Sequence, residues 1–258
     1  MVEGPTAKAY AFRISEEFKD EVITNISVKS TKRVFIPLTN LLGKGFLKAD
    51  SLGKNIILFF DDAAIRIHLM MFGTIHIYNL DEKLLKPESL VRLLINGGRK
   101  KLVAYNAPIV EIDEADEILK RLKAELGPDP LSSDWDREKA LENILKFKEE
   151  RIGIVLLNQS VIAGIGNILK NEILFRAGIN PERKVQSLAN TEIIRIIKAC
   201  ESLSKEFLRL KIEKGKIKPL LFVYNRYRGS CKICGGKLKF YMQEPIHRKT
   251  FVCLNCQK

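Results

Sequence analysis

Four of the five cysteines, Cys231, Cys234, Cys253 and Cys256, follow the pattern C-x2-C-x18-C-x2-C near the end of the chain. Thiols separated by two residues reach one ion from a single tight turn, and four thiolates complete the closed tetrahedral shell of structural zinc. One structural zinc ion is expected on these four residues, with no organic cofactor. Four protein ligands leave no position for a catalytic water. The spacing also permits two disulfides, which a chain opening Met-Val-Glu-Gly-Pro, without a basic and then apolar leader, is not expected to make. Cys200 stands alone in a helical pattern and reads as a small buried hydrophobe. A second pattern, Gly164-Ile-Gly-Asn167 ahead of an apolar run, would turn free N–H groups and the positive end of a helix toward an anion such as a DNA phosphate. A helix hairpin with glycines for close packing fits those residues equally well. Asp61-Asp62 reads as a turn, and His68, His76 and His247 lack metal-ligand spacing.

The elements that must carry these residues divide in two. Short apolar runs at 55–60, 64–68 and 74–78, separated by Gly or Asp turns, predict a β-sandwich or barrel up to about residue 110. After Ile112 the period becomes helical, with Ile118, Leu119, Leu122 and Leu126 on one face, until Gly127-Pro-Asp-Pro130 stops it. Further helices are expected near 137–149, 150–158, 164–177 and 190–213, the last with Asn190 as N-cap. The expected domains are 2–127, a linker at 128–136, 137–222 and 223–258. With 258 residues, 46% hydrophobic and 29% charged, the chain is an ordinary globular one and neither disordered nor fibrous. The net charge of +13 favours a polyanionic partner, and residues 223–258 carry eight basic residues against Glu244 alone. No apolar run is long enough for a membrane span, and a cytoplasmic (nucleoid) or nuclear location, not secretion, is expected.

In order along the chain stand Val2-Glu-Gly-Pro5, Leu52-Gly-Lys54, Leu126-Gly-Pro-Asp-Pro-Leu131, Ala163-Gly-Ile-Gly-Asn-Ile168 and Arg248-Lys-Thr-Phe-Val-Cys253. This succession resembles the formamidopyrimidine-DNA glycosylase and endonuclease VIII family, specifically an endonuclease-VIII-like branch beginning Met-Val-Glu. The resemblance implies an α+β fold: an N-terminal β-sandwich, a helix-two-turns-helix module and a C-terminal β-hairpin zinc finger. It also implies base excision repair of oxidised bases, with damaged DNA, double- or single-stranded, as the partner of a monomeric protein.

Excision followed by strand nicking through a Schiff base needs an amine neutral near pH 7. An α-amino group, with a pKa of about 7.7–8, meets that need better than lysine at about 10.4. The resemblance therefore puts the nucleophile on Val2, exposed once Met1 is removed before the small side chain, where most members have proline. It makes Glu3 the general acid that protonates the sugar ring oxygen, Lys54 the phosphate contact and proton donor in β-elimination, and Arg248 the finger arginine that holds phosphates and assists δ-elimination. Guanidinium offers two parallel donors to a phosphate. Asn167 matches the phosphate-binding asparagine. Glu172 matches a carboxylate near the active site, with a surface salt bridge as its competitor. Met70, Met71 and Phe72 match the loop that fills the hole left by a flipped base, although a core strand end would read alike.

The chain departs from the family at three places. Thr6 replaces the carboxylate that usually follows Glu-x-Pro, and Asn106-Ala-Pro-Ile-Val-Glu111 lacks the Arg-Phe wedge of the purine-type enzymes. The stretch from Arg209 to Pro219 has no room for the loop that caps 8-oxoguanine. Oxidised pyrimidines, hydantoins and abasic sites are therefore expected over 8-oxoguanine, with strand cutting by β- or β,δ-elimination. A non-catalytic binder of damaged or abasic DNA on the same fold is the rival, and a zinc-ribbon factor of transcription or translation is a second.

Overall fold

The computed structural model describes residues 2–29 and 33–258; Met1 and residues 30–32 lie outside it, and so does the expected removal of Met1. Two compact units form, Val2 with Thr6–Ala124, and Glu3–Pro5 with Glu125–Lys258.

All but the first two residues of a helix that the strand-like pattern of this region masks, α1 (Gly4–Glu17), belong to the first unit. Its signal was present. Pro5 sits in the first turn, where its missing N–H costs nothing, and Ala7, Ala11, Ile14 and Phe18 recur at helical spacing and are all buried. Two four-stranded antiparallel sheets follow, in the orders β1-β6-β7-β5 and β2-β3-β4-β8. The first comprises β1 (Asn25–Val28), β5 (Thr74–Asn79), β6 (Val91–Asn96) and β7 (Lys100–Tyr105). The second comprises β2 (Lys48–Leu52), β3 (Asn55–Phe60), β4 (Ala63–His68) and β8 (Ile109–Glu114). Alternation sorts their side chains. Ile56, Leu58, Ile65 and Ile67 of one sheet meet Ile75, Leu93, Ile95 and Leu102 of the other and the apolar stripe of α1 in a single core. The opposite face of β4 and β8 carries Arg66, Glu111 and Asp113.

The chain passes from β8 into α2 (Ala115–Glu125), whose Ile118 and Leu122 are buried. The second unit holds α3 (Arg137–Leu145), α4 (Ile152–Val155), α5 (Asn167–Ala177) and α6 (Asn190–Lys214). Helix α4 is a single turn, shorter than the expected 150–158. The Asn158 side chain accepts from Ser160 N, while Gln159 reaches Leu157 O, Ile165 O and Gly164 N, so side chains take over the backbone groups a longer helix would need. Helix α5 starts at Asn167 because Gly164 has φ +84° and Gly166 is extended. Asn190 is the first residue of α6 rather than its N-cap; the Glu192 carboxylate instead accepts from Ala189 N at 2.9 Å. Cys200 lies fully buried in α6, and burial raises its thiol pKa far above the ordinary range. The hairpin β9 (Leu238–Gln243) and β10 (Arg248–Cys253) ends the unit. No helix among the described residues is long and apolar enough to cross a membrane.

Candidate active site

Val2 is 8% exposed, and its nitrogen donates to the carbonyl of Met70 at 3.2 Å. The chain start and the apolar loop after β4 are thus joined directly, a link no sequence pattern announced. The loop is tight. Gly73 N donates to Leu69 O, Met70 N donates to His68 Nδ1, and Met70 takes φ +49°. Its tip is not a core strand end. Met70 and Met71 are about half exposed and Phe72 is 78% exposed, an apolar patch turned outward.

Glu3 is completely buried, and its carboxylate accepts from Ile168 N at 2.6 Å and Leu169 N at 3.0 Å, two of the free donors that begin α5. Gly4 N donates to Gly164 O at 2.9 Å. Gly166 of the Gly-x-Gly-Asn turn and Gly4 make this approach possible. A Cβ on Gly166 would lie 2.6 Å from the Glu3 carboxyl carbon, and one on Gly4 would lie 2.8 Å from Gly164 Cα. The helix start expected to face a DNA phosphate is therefore partly filled by the protein's own carboxylate.

Lys54 occupies the two-residue turn between β2 and β3, after Gly53 at φ +59°, the left-handed conformation such a turn needs at its first position. Buried Asn55 braces the turn by donating to Leu52 O and accepting from Arg66 Nε at 2.9 Å. Arg66 in turn pairs with Glu111 at 2.8 Å. Residues 106–111, the departure noted above, run straight into β8.

Helix α5 also faces the finger. Asn167 and Asn171 both donate to Lys249 O, at 2.9 and 3.2 Å, and Asn171 Oδ1 accepts from Phe251 N at 2.7 Å. Asn167 is 4% exposed, and its Oδ1 is buried with no hydrogen-bond partner among the described residues. Arg248, at the start of β10, is exposed. Glu172 is fully buried, and among the described residues it joins no salt bridge, so the surface pairing expected as its competitor does not form. Its carboxylate accepts from the N–H groups of Phe222, Val223 and Tyr224 at 2.8–3.0 Å, holding the segment that enters the finger. Tyr224, which the sequence reading passed over, lies within the electrostatic reach of Glu3 and Lys249; burial chiefly raises its hydroxyl pKa.

The four cysteine sulfurs lie within 4.8 Å of one another. Cys231 to Cys256 is 3.8 Å and Cys234 to Cys253 is 3.5 Å. Sulfurs about 2.3 Å from a central zinc sit about 3.8 Å apart, so the donor set fits that ion. The Gly236 N–H first, then the neighbouring thiols, bring Cys234 down to about 7, while burial first pushes Cys256 up to about 12. A divalent cation at the centre would favour all four thiolates together.

A β-sandwich, a two-turn helical module and a four-cysteine hairpin define the class of fold. Residues 1–108 match the formamidopyrimidine-DNA glycosylase N-terminal domain, and residues 126–219 match the formamidopyrimidine-DNA glycosylase H2TH domain. The probable endonuclease 8 2 of Streptomyces coelicolor is 27% identical, with 100% of this chain and 94% of that protein covered. Endonuclease 8-like 3 of Bos taurus is 30% identical over 89% of this chain, but only 37% of that longer protein is covered. The Lactococcus lactis Fpg, solved with abasic-site DNA, has the same fold, with a TM-score of 0.88 at 24% identity over 99% of each chain. The chain belongs to the formamidopyrimidine-DNA glycosylase and endonuclease VIII family.

Proposed function

We propose that this protein is a bifunctional DNA glycosylase and abasic-site lyase of base excision repair. It removes oxidised pyrimidines and hydantoins rather than 8-oxoguanine. The observation that carries this reading is the pairing of two adjacent residues: Val2, whose nitrogen is fixed on the apolar loop, and Glu3, whose carboxylate is fixed on the start of α5. In the reaction the Val2 amine attacks C1′ while the bond to the base breaks, the base leaving with the bonding electron pair and taking a proton from water. Glu3, bonded as a carboxylate to two N–H groups, takes the proton the amine sheds and delivers it to the ring oxygen, and the ring opens to an imine. Loss of the C2′ proton then expels the 3′ phosphate, and a second elimination expels the 5′ phosphate. Lys54 and Arg248 serve these eliminations, Met70, Met71 and Phe72 fill the vacated stack, and zinc on the four cysteines holds the finger. Helix α6 runs to Lys214 and residues 222–224 are already bound to Glu172, which leaves only a short link where a capping loop would stand; this supports the preference against 8-oxoguanine. The protein would act as a monomer on nucleoid or nuclear DNA.

Borohydride trapping on an oligonucleotide with one abasic site tests the reading. Zinc-loaded protein whose first residue is verified as Val2 by mass spectrometry is expected to give a covalent adduct mapping to Val2, and protein retaining Met1 is expected to give none. No adduct from correctly processed protein would overturn the lyase and favour a binder of damaged DNA.

A further inference from the structure

Lys170, on α5, is fully enclosed, the one buried lysine among the described residues. Its Nζ donates to Thr250 Oγ1 at 2.7 Å and to Gln243 Oε1 at 3.4 Å. The Thr250 hydroxyl donates onward to the carbonyl of Arg248 at 3.2 Å, so the lysine stands one side chain away from the arginine of the finger. Gln243 is secured from its other end, its Nε2 donating to Glu182 Oε1 at 2.8 Å and Pro181 O at 3.3 Å. Glu182 also accepts from Tyr241 at 2.6 Å and Arg151 at 3.0 Å. Gly153 lets the network close, since a Cβ there would lie 2.7 Å from Gln243 Nε2. Both strands of the hairpin are thus tied to the helical body by one polar network with the ammonium inside it.

Such an ammonium is expensive to keep. Among the described residues no carboxylate lies within salt-bridge distance of it, and burial brings its pKa down to about 7, with Glu182 and Glu3 favouring the charged form and Arg248 opposing it. An apolar side chain of similar length would fill the space at lower cost, so the donor itself must matter.

We propose that Lys170 is a positioning residue for Arg248: through Thr250 it fixes the start of β10 against α5 and so sets where the guanidinium meets a DNA phosphate. The proposal rests on the reading of Arg248 as the phosphate-binding arginine. The test is the affinity of the full-length, zinc-loaded protein for an oligonucleotide carrying a tetrahydrofuran abasic analogue, with Lys170→Met, Arg248→Ala and the double variant. Lys170→Met is expected to weaken binding by about ten- to hundredfold, the range for a charged hydrogen-bond donor. On the Arg248→Ala background it is expected to add almost nothing, because the lysine acts through the arginine. Losses that add, wild-type binding by Lys170→Met, or wild-type binding by Arg248→Ala would each overturn the proposal. Thr250→Val, which keeps the lysine, is expected to match Lys170→Met, and its wild-type binding would overturn the proposal even if Lys170→Met does not fold. Borohydride trapping by the wild type, run in parallel, reads the lyase separately: a missing adduct with a non-additive cycle sinks the lyase and leaves the positioning role standing.

Discussion

His68 shows how one residue can control the neighbourhood of the Val2 nitrogen. Burial first, then the charges of Arg66 and Lys54, bring its pKa down to about 4, and as a neutral ring it accepts the Met70 N–H that shapes the apolar loop. A histidine with a lowered folded-state pKa contributes stability that is present above its unfolded value, about 6.5, and is lost as pH falls through about 4. Unfolding free energy measured across that window is therefore expected to decline, and His68→Phe is expected to flatten the decline. An unchanged slope in the variant would assign the acid sensitivity elsewhere. At this scale the sequence was legible only where the signal is local. The cysteine pairs announce themselves because each is a short turn, and so does the Gly-x-Gly-Asn turn. The roles of Glu172 and Lys170 were not legible, since their partners lie about 50 and 80 residues further along the chain.

Helix α5 organises the second unit as an element. Nine of its eleven residues are buried, because it presents Glu3's donors at its start, two amides and an ammonium to the finger, and apolar side chains elsewhere. A helix enclosed on all sides has no polar face to read, which is why its existence was predictable but its contacts were not. Helix α1 posed the opposite problem: its 7/11/14/18 stripe was readable, but the strand-like runs that follow masked it. Gly166→Ala tests the junction at the start of α5. The added methyl would overlap the Glu3 carboxylate, and a displacement of about 1 Å at a reacting group costs on the order of a hundredfold in rate. Excision measured under single-turnover conditions is expected to fall by about that factor while thermal unfolding stays cooperative. Full activity would remove Glu3 from the proposed chemistry.

For the molecule as a whole, charge and the four-cysteine cluster fall in the same segment. The hairpin shares a small core of Val223, Leu238 and Phe251 with Phe175 of α5, and so few apolar side chains are expected not to hold residues 223–258 without the cysteine cluster. Chelation is expected to unfold this segment and remove the basic residues that carry more than half of the net charge of +13. The slope of DNA affinity against salt concentration should then become shallower, because fewer counterions are displaced. A filter-binding series before and after chelation checks this, and an unaltered slope would place the main phosphate contacts outside the finger. The asparagine amides that reach Lys249 O and Phe251 N have one more effect. A lone ribbon offers its outer edges as templates on which another chain can lay a strand. Here side chains from a helix occupy one edge as a counterfeit strand, so the finger cannot extend its sheet into a neighbouring molecule from that side.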